Sequence, residues 1–339
     1  MMDLSTKYLG LDLVSPLVAS AGPLSQTVDG VRSLAAGGVG AVVLYSLFEE
    51  QLKTQVTREI EMIEAHEETY SEATSYFPDA AIPSEKSMAH AYLTLVEESA
   101  KAIDVPLIAS LNGSGLGGWT EFSRQLQDAG ASALELNIYA VPGDVHVDGP
   151  TIEKKHLEIV QAVKENVSIP VAVKLSPYFS STGHMALDVL EAGADGLVLF
   201  NRWLQPDIDV ETVEVRPGVE LSSPADGKLP RTWIAALRNH TTKSLALTSG
   251  VETADDIVKG LLAGADVVMT TSALVRHGTD YSAIMLGGLE EWLERKGFES
   301  LDKVRGMLAV PTNTDGAALQ RAGYVSALER AKQTYGSLA

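Results

Sequence analysis

Short apolar runs rich in β-branched residues recur along the chain, and each is followed by apolar residues at helical spacing. The runs are 17–23 (LVASAGP), 40–47 (GAVVLYSL), 105–113 (VPLIASLNG), 133–139 (ALELNIY), 170–177 (PVAVKLSP), 195–202 (DGLVLFNR), 244–250 (SLALTSG) and 266–274 (DVVMTTSAL). Helices are predicted from Thr27, over 119–129, and in TIEKKHLEIVQAVKEN, GHMALDVLEAG, PRTWIAALRNH, TADDIVKGLLAG and YSAIMLGGLEEWLERKG. Each run is predominantly apolar, as a parallel strand buried on both faces requires.

Eight strand–helix units in under 300 residues is the count of an α/β fold of the (β/α)8 TIM-barrel type. DAGASALEL, EAGADGLVL and LAGADVVMT repeat one turn, in which a glycine stops the helix in a left-handed cap before the next strand. An open, doubly wound sheet is the alternative. Residues 1–310 are expected to form one barrel domain, with excursions at 48–90 and 203–229 above its C-terminal rim. The alternation in VETVEVRPGVEL suggests a hairpin in the second excursion. Residues 311–339 form a polar extension with a helix predicted over 317–331, either a packing or dimer arm or a loose end.

Charge narrows the partners. The chain has 339 residues, 45 acidic against 26 basic, and a net charge of −19. That argues against nucleic acid or an anionic membrane as partner. With no cysteine, thiolate metal sites, disulfides and cysteine nucleophiles are excluded. No signal-like or membrane-spanning run is evident, so a cytoplasmic protein is expected. The seven histidines show no metal-ligand spacing, no metal is expected, and His66, His146, His156 and His240 read as solvated surface. His146 is also kept as a possible rim group.

Side chains at the C-terminal strand ends of a barrel face its active site. Here they are Ser20, Tyr45, Ser46, Asn112, Asn137, Tyr139, Lys174, Asn201, Thr248, Ser249, Gly250, Thr271 and Ser272. This largely neutral, hydrogen-bonding set suits a planar ligand rich in heteroatoms. Lys174 stands inside an apolar strand, which is costly unless its ammonium reaches a partner or water. It is a Schiff-base lysine, a cation held against a delocalised anion, or a lysine snorkelling to the barrel mouth. The turns after strands seven and eight suit phosphate, or their hydroxyls merely cap helices.

Taken in order, LVASAG, LELN, VAVKLSPYF, SGVETADD, TSALVRHG and KGFESLDKVRGML resemble the dihydroorotate dehydrogenase family over about residues 8–308. The likeness is greatest to the soluble class 1 branch. It implies an FMN-dependent (β/α)8 oxidoreductase of pyrimidine synthesis and a homodimer. It further implies that Ala19, Ser20 and Asn137 contact the flavin ring and that Lys174 lies at its N1/O2 edge. Ser223 falls on the ribityl-phosphate side and Ser249, Gly250, Thr271 and Ser272 at the phosphate. Ser46, Asn112 and Asn201 join the cofactor set, and Tyr45, Asn137 and Asn201 the substrate set.

The substrate side departs from the family. The family's strand-four motif carries a Cys or Ser base, where this chain has Ala140, which cannot take a proton. Tyr45 replaces a family lysine, Arg202 a small hydroxyl residue, and the family's asparagine loop is not recognisable in 67–90. A general base is typically worth about 10²–10⁴-fold. Tyr139 is the candidate substitute, but a phenol with pKa near 10 suits proton donation better than abstraction. Four readings follow: an FMN oxidoreductase with another substrate, a dihydroorotate dehydrogenase with a displaced base, a non-catalytic flavin-binding protein, and a phosphate-binding lyase or isomerase using Lys174 covalently. The electron acceptor is not legible.

Overall fold

The computed structural model describes residues 2–48, 88–113, 119–138, 144–202, 206–216, 218 and 220–336. Its strands are β1 (Leu17–Ala19), β2 (Ala41–Val43), β3 (Leu107–Gly113), β4 (Ala133–Ile138), β5 (Val171–Leu175), β6 (Gly196–Leu199), β7 (Ser244–Leu247) and β8 (Val267–Thr270). Each pairs in parallel with the next, and β8 returns to β1, closing the sheet. Between them run α1 (Val28–Ala36), α2 (Met88–Ala102), α3 (Trp119–Asp128), α4 (Gly149–Lys164), α5 (Thr182–Glu191), α6 (Lys228–Leu237) and α7 (Ala254–Ala263). A short α8 (Ser272–His277) and a longer α9 (Tyr281–Lys296) follow β8. This is the (β/α)8 barrel that the pattern predicts, and the open sheet is excluded.

Strand parity sorts the side chains. In β4, Leu134, Leu136 and Ile138 pack in the outer core under the helices. The alternate residues Ala133, Glu135 and Asn137 therefore face the barrel axis. The three repeated turns end in Gly130, Gly193 and Gly264, at φ 103°, 116° and 115°, the left-handed cap their sequence implies. The aspartate that follows two of these glycines has a second task. Asp195 Oδ2 accepts Val171 N–H at 2.9 Å and Asp266 Oδ2 accepts Leu245 N–H at 2.8 Å. Each thus ties its own strand to the start of the preceding one.

A hairpin that the sequence reading did not resolve closes the N-terminal end. Thr6–Tyr8 pairs antiparallel with Leu11–Leu13. Tyr8, Leu9 and Leu13 pack against inward-facing Ala41, Ala133 and Val267. Leu9 N–H donates to Ser244 Oγ and Thr6 Oγ1 to the Asp266 carbonyl.

The first excursion lies almost wholly outside the described residues. The second contains the expected hairpin, Asp207–Asp209 against Glu214–Arg216. The C-terminal extension forms α10 (Gly316–Tyr335), in which no residue is buried. No helix among the described residues is long and apolar enough to cross a membrane. His156 corrects the surface reading: it is 2% exposed. It stands four residues after Ile152 and four before Val160, on the buried face of α4. Its ring meets Phe179 edge-on.

Candidate active site

A cavity of about 140 Å³ opens at the C-terminal ends of β5–β8 and β1. Register places Asn112, Asn137 and Lys174 side by side on β3, β4 and β5. Asn201, just past β6, donates from Nδ2 to Asn137 Oδ1 at 2.8 Å. The two asparagines assigned to substrate from the sequence therefore meet. Ser20, Lys174, Asn201, Ser249, Gly250, Thr271 and Ser272, all named from the sequence, line the cavity.

The turn after β7 has an unusual backbone. Ser249 (φ 77°) and Gly250 (φ 70°) are successive left-handed residues, the kind of conformation from which anion-binding concavities are built. Ser249 Oγ donates to the Phe200 carbonyl at 3.0 Å, tying this turn to the end of β6. A Cβ on Gly250 would stand 2.3 Å from Gly227 N, so the 222–227 loop packs directly on it. Thr271 Oγ1 donates to the Ser20 carbonyl at 2.9 Å, joining β8 to β1 at the rim.

Ala19, Tyr45, Ser46, Asn112, Asn137 and Ser223 fall beside the lining. Ser223 is exposed and its N–H donates to Asp226, whereas its neighbour Ser222 lines the cavity. Ser222 N–H donates to Ser272 Oγ at 3.0 Å. Ala19 packs in the outer core at the end of β1, and Ser20 and Ala21, just past the strand, line the cavity. Ser46 Oγ pairs with Ser110 Oγ at 2.8 Å. The Tyr45 ring meets Tyr92 of α2 edge-on at 5.1 Å, and burial pushes the Tyr45 phenol above its ordinary pKa. Tyr139 and Ala140 lie outside the described residues. His146 is exposed. Among the described residues no group of three or more acidic or histidine side chains could hold a metal.

The sequence reading missed Glu135. It is fully buried inside the barrel, and its Oε1 accepts from Lys174 Nζ at 3.4 Å. Its signal was its place: a carboxylate two residues before Asn137 in one strand shares the inward face. Arg202 also lines the cavity, so two cations face it and no carboxylate does among the described lining residues. In a chain of net charge −19, this local reversal selects for an anionic ligand.

A family model described as dihydroorotate dehydrogenase matches residues 81–293. The chain is similar to the putative dihydroorotate dehydrogenase A (fumarate) of Aeropyrum pernix, 29% identical over 220 residues, 62% of this chain and 70% of that protein. It is similar to the catalytic subunit of dihydroorotate dehydrogenase B (NAD(+)) of Methanothermobacter thermautotrophicus, 24% identical over 314 residues, 90% of this chain and 98% of that one. It is also similar to the NAD-dependent dihydropyrimidine dehydrogenase subunit PreA of Escherichia coli, 25% identical over 323 residues, 90% of this chain and 76% of that subunit. With more than half its length matched by the family model, the chain belongs to the dihydroorotate dehydrogenase family.

Proposed function

We propose that the protein is an FMN-dependent oxidoreductase that acts on a CH–CH bond of a substrate other than dihydroorotate. Membership of a family of dehydrogenases supports the oxidoreductase class. The observation that carries the cofactor is the cavity itself, with two cations, hydroxyls, the Asn201 carboxamide and no carboxylate among its described lining residues. That donor set fits a phosphate at one end and a ring bearing delocalised negative charge at the other.

Ser249, Gly250, Thr271 and Ser272 would hold the phosphate, with Ser222 in the adjoining loop. Lys174 would face the N1/O2 edge, with Ser20, Asn112 and Asn137 about the ring. Bound there, FMN supplies hydride uptake, which a fixed cation at that edge favours. The Asn201–Asn137 hydrogen bond keeps both carboxamides oriented, so that their remaining donors and acceptors can align a heterocyclic substrate. Ser20, Asn112, Asn137 and Lys174 are buried, which strengthens their contacts by excluding water.

The altered substrate rests on Ala140 and Tyr45, which stand where the family has a base and a lysine. Without a base, proton abstraction from dihydroorotate loses about 10²–10⁴-fold. Tyr139 is assigned the role of proton donor. The test is stopped-flow bleaching of the FMN-loaded protein by dihydroorotate under anaerobic conditions, with Ala140→Cys as comparison. Slow bleaching that the cysteine variant speeds is expected. Fast bleaching of the unmodified protein would restore the dihydroorotate assignment, and protein that retains no FMN after desalting would overturn the cofactor.

A further inference from the structure

Glu135 is an expensive residue to keep where it is. The side chain has no solvent exposure and faces the barrel axis, with Ser110 of β3 and Ala172 of β5 as its register neighbours. An unpaired carboxylate in such surroundings would be strongly disfavoured. Lys174 is its one ion-pair partner among the described residues, at 3.4 Å. Its second oxygen, Oε2, finds no hydrogen-bond partner among them. The pair is thus directional. The ammonium reaches the cavity, where Lys174 forms part of the wall, and the carboxylate stands behind it, away from the rim.

A packing role would be met as well, or better, by an apolar residue of similar size. The arrangement has another consequence. An anion immediately behind a cation subtracts from the positive potential that the cation projects forward, and in a low-dielectric barrel that subtraction is large. We propose that Glu135 is a positioning residue for Lys174, which holds the ammonium at the cavity wall and sets how much of its charge a bound anion experiences. Tyr8 of the N-terminal hairpin, which packs in the inner core below, keeps a neutral phenol because burial pushes its pKa well up. It therefore adds no second anion beneath Glu135.

The inference rests on the FMN reading, and two measurements keep the two apart. In the FMN-loaded protein, Glu135→Gln removes the anion while keeping the shape. It is expected to make the bound flavin easier to reduce by about tenfold, about 30 mV for a two-electron couple. Sulfite adduct formation should tighten in parallel. Lys174→Gln should move both quantities the opposite way, whereas a merely structural pair would give losses of the same sign. Without flavin, inorganic phosphate titrated into the apo-protein feels the same field across the cavity that Lys174 also lines, more weakly from the 249–272 turns than a ring at Lys174 would, and Glu135→Gln should still bind it more tightly, by a few-fold. Should Glu135→Gln fail to fold, Glu135→Asp, which withdraws the carboxylate, is expected to show smaller changes of the same sign. A folded variant with unchanged or lowered reduction potential and unchanged phosphate affinity overturns the assignment. Unmodified protein that binds phosphate but not FMN sinks the cofactor reading, and the phosphate arm then decides this one alone.

Discussion

Ser249 carries a backbone conformation that its side chain makes expensive. A non-glycine residue in the left-handed region costs on the order of 1–3 kcal/mol, and Ser249 sits there at φ 77° beside the equally left-handed Gly250. Its hydroxyl offsets part of that cost by bonding the Phe200 carbonyl. The two contributions separate by substitution. Ser249→Ala keeps the strain and loses the bond, so it should cost about 1 kcal/mol. Ser249→Gly loses the bond but relieves the strain, and should come out near neutral. Urea unfolding of the two variants checks the order; an alanine variant as stable as the glycine variant would refute it.

Among the elements, α4 has the most to answer for, because it buries His156 beside the end of β4. Burial lowers the imidazole pKa below its ordinary value, against the bond to the Ile152 carbonyl, which acts to raise it. A base whose folded pKa is depressed stays neutral in the fold and takes up its proton on unfolding. Its contribution is therefore intact above about pH 6.5, the ordinary histidine value, and is lost as pH falls through that value towards the lower folded one. Urea midpoints should fall between pH 7.5 and pH 5.5, and His156→Gln should flatten that slope. An unchanged slope in the variant would place the titration elsewhere.

The same helix shows what could and could not be read in advance. The eight strands were legible because buried parallel strands are predominantly apolar runs, and their spacing was set by glycines that left-handed caps require. His156 was hidden by its neighbours Glu153, Lys154 and Lys155, although its spacing from Ile152 and Val160 placed it on the inner face. The N-terminal hairpin has strands of only three residues, too short for a period to emerge. Ser223 was placed by the family likeness, since a loop has no period to read, and it is the contact with Ser272 that turns the neighbouring Ser222 inward. Glu135 was passed over because its carboxylate gains meaning only once β5 brings Lys174 alongside.

At the scale of the whole molecule, the N-terminal hairpin governs traffic. Tyr8, Leu9 and Leu13, each at most 4% exposed, fill the floor of the barrel. For the oxidoreductase proposed here, a small-molecule reductant and a small-molecule oxidant must then use the rim above the cavity in succession. Steady-state rates should follow a ping-pong pattern, with parallel lines in double-reciprocal plots as the second reactant is varied. Each reactant at high concentration should also inhibit competitively against the other, since both seek one doorway. Converging lines would mean that both can be bound together, and so that a second entrance exists.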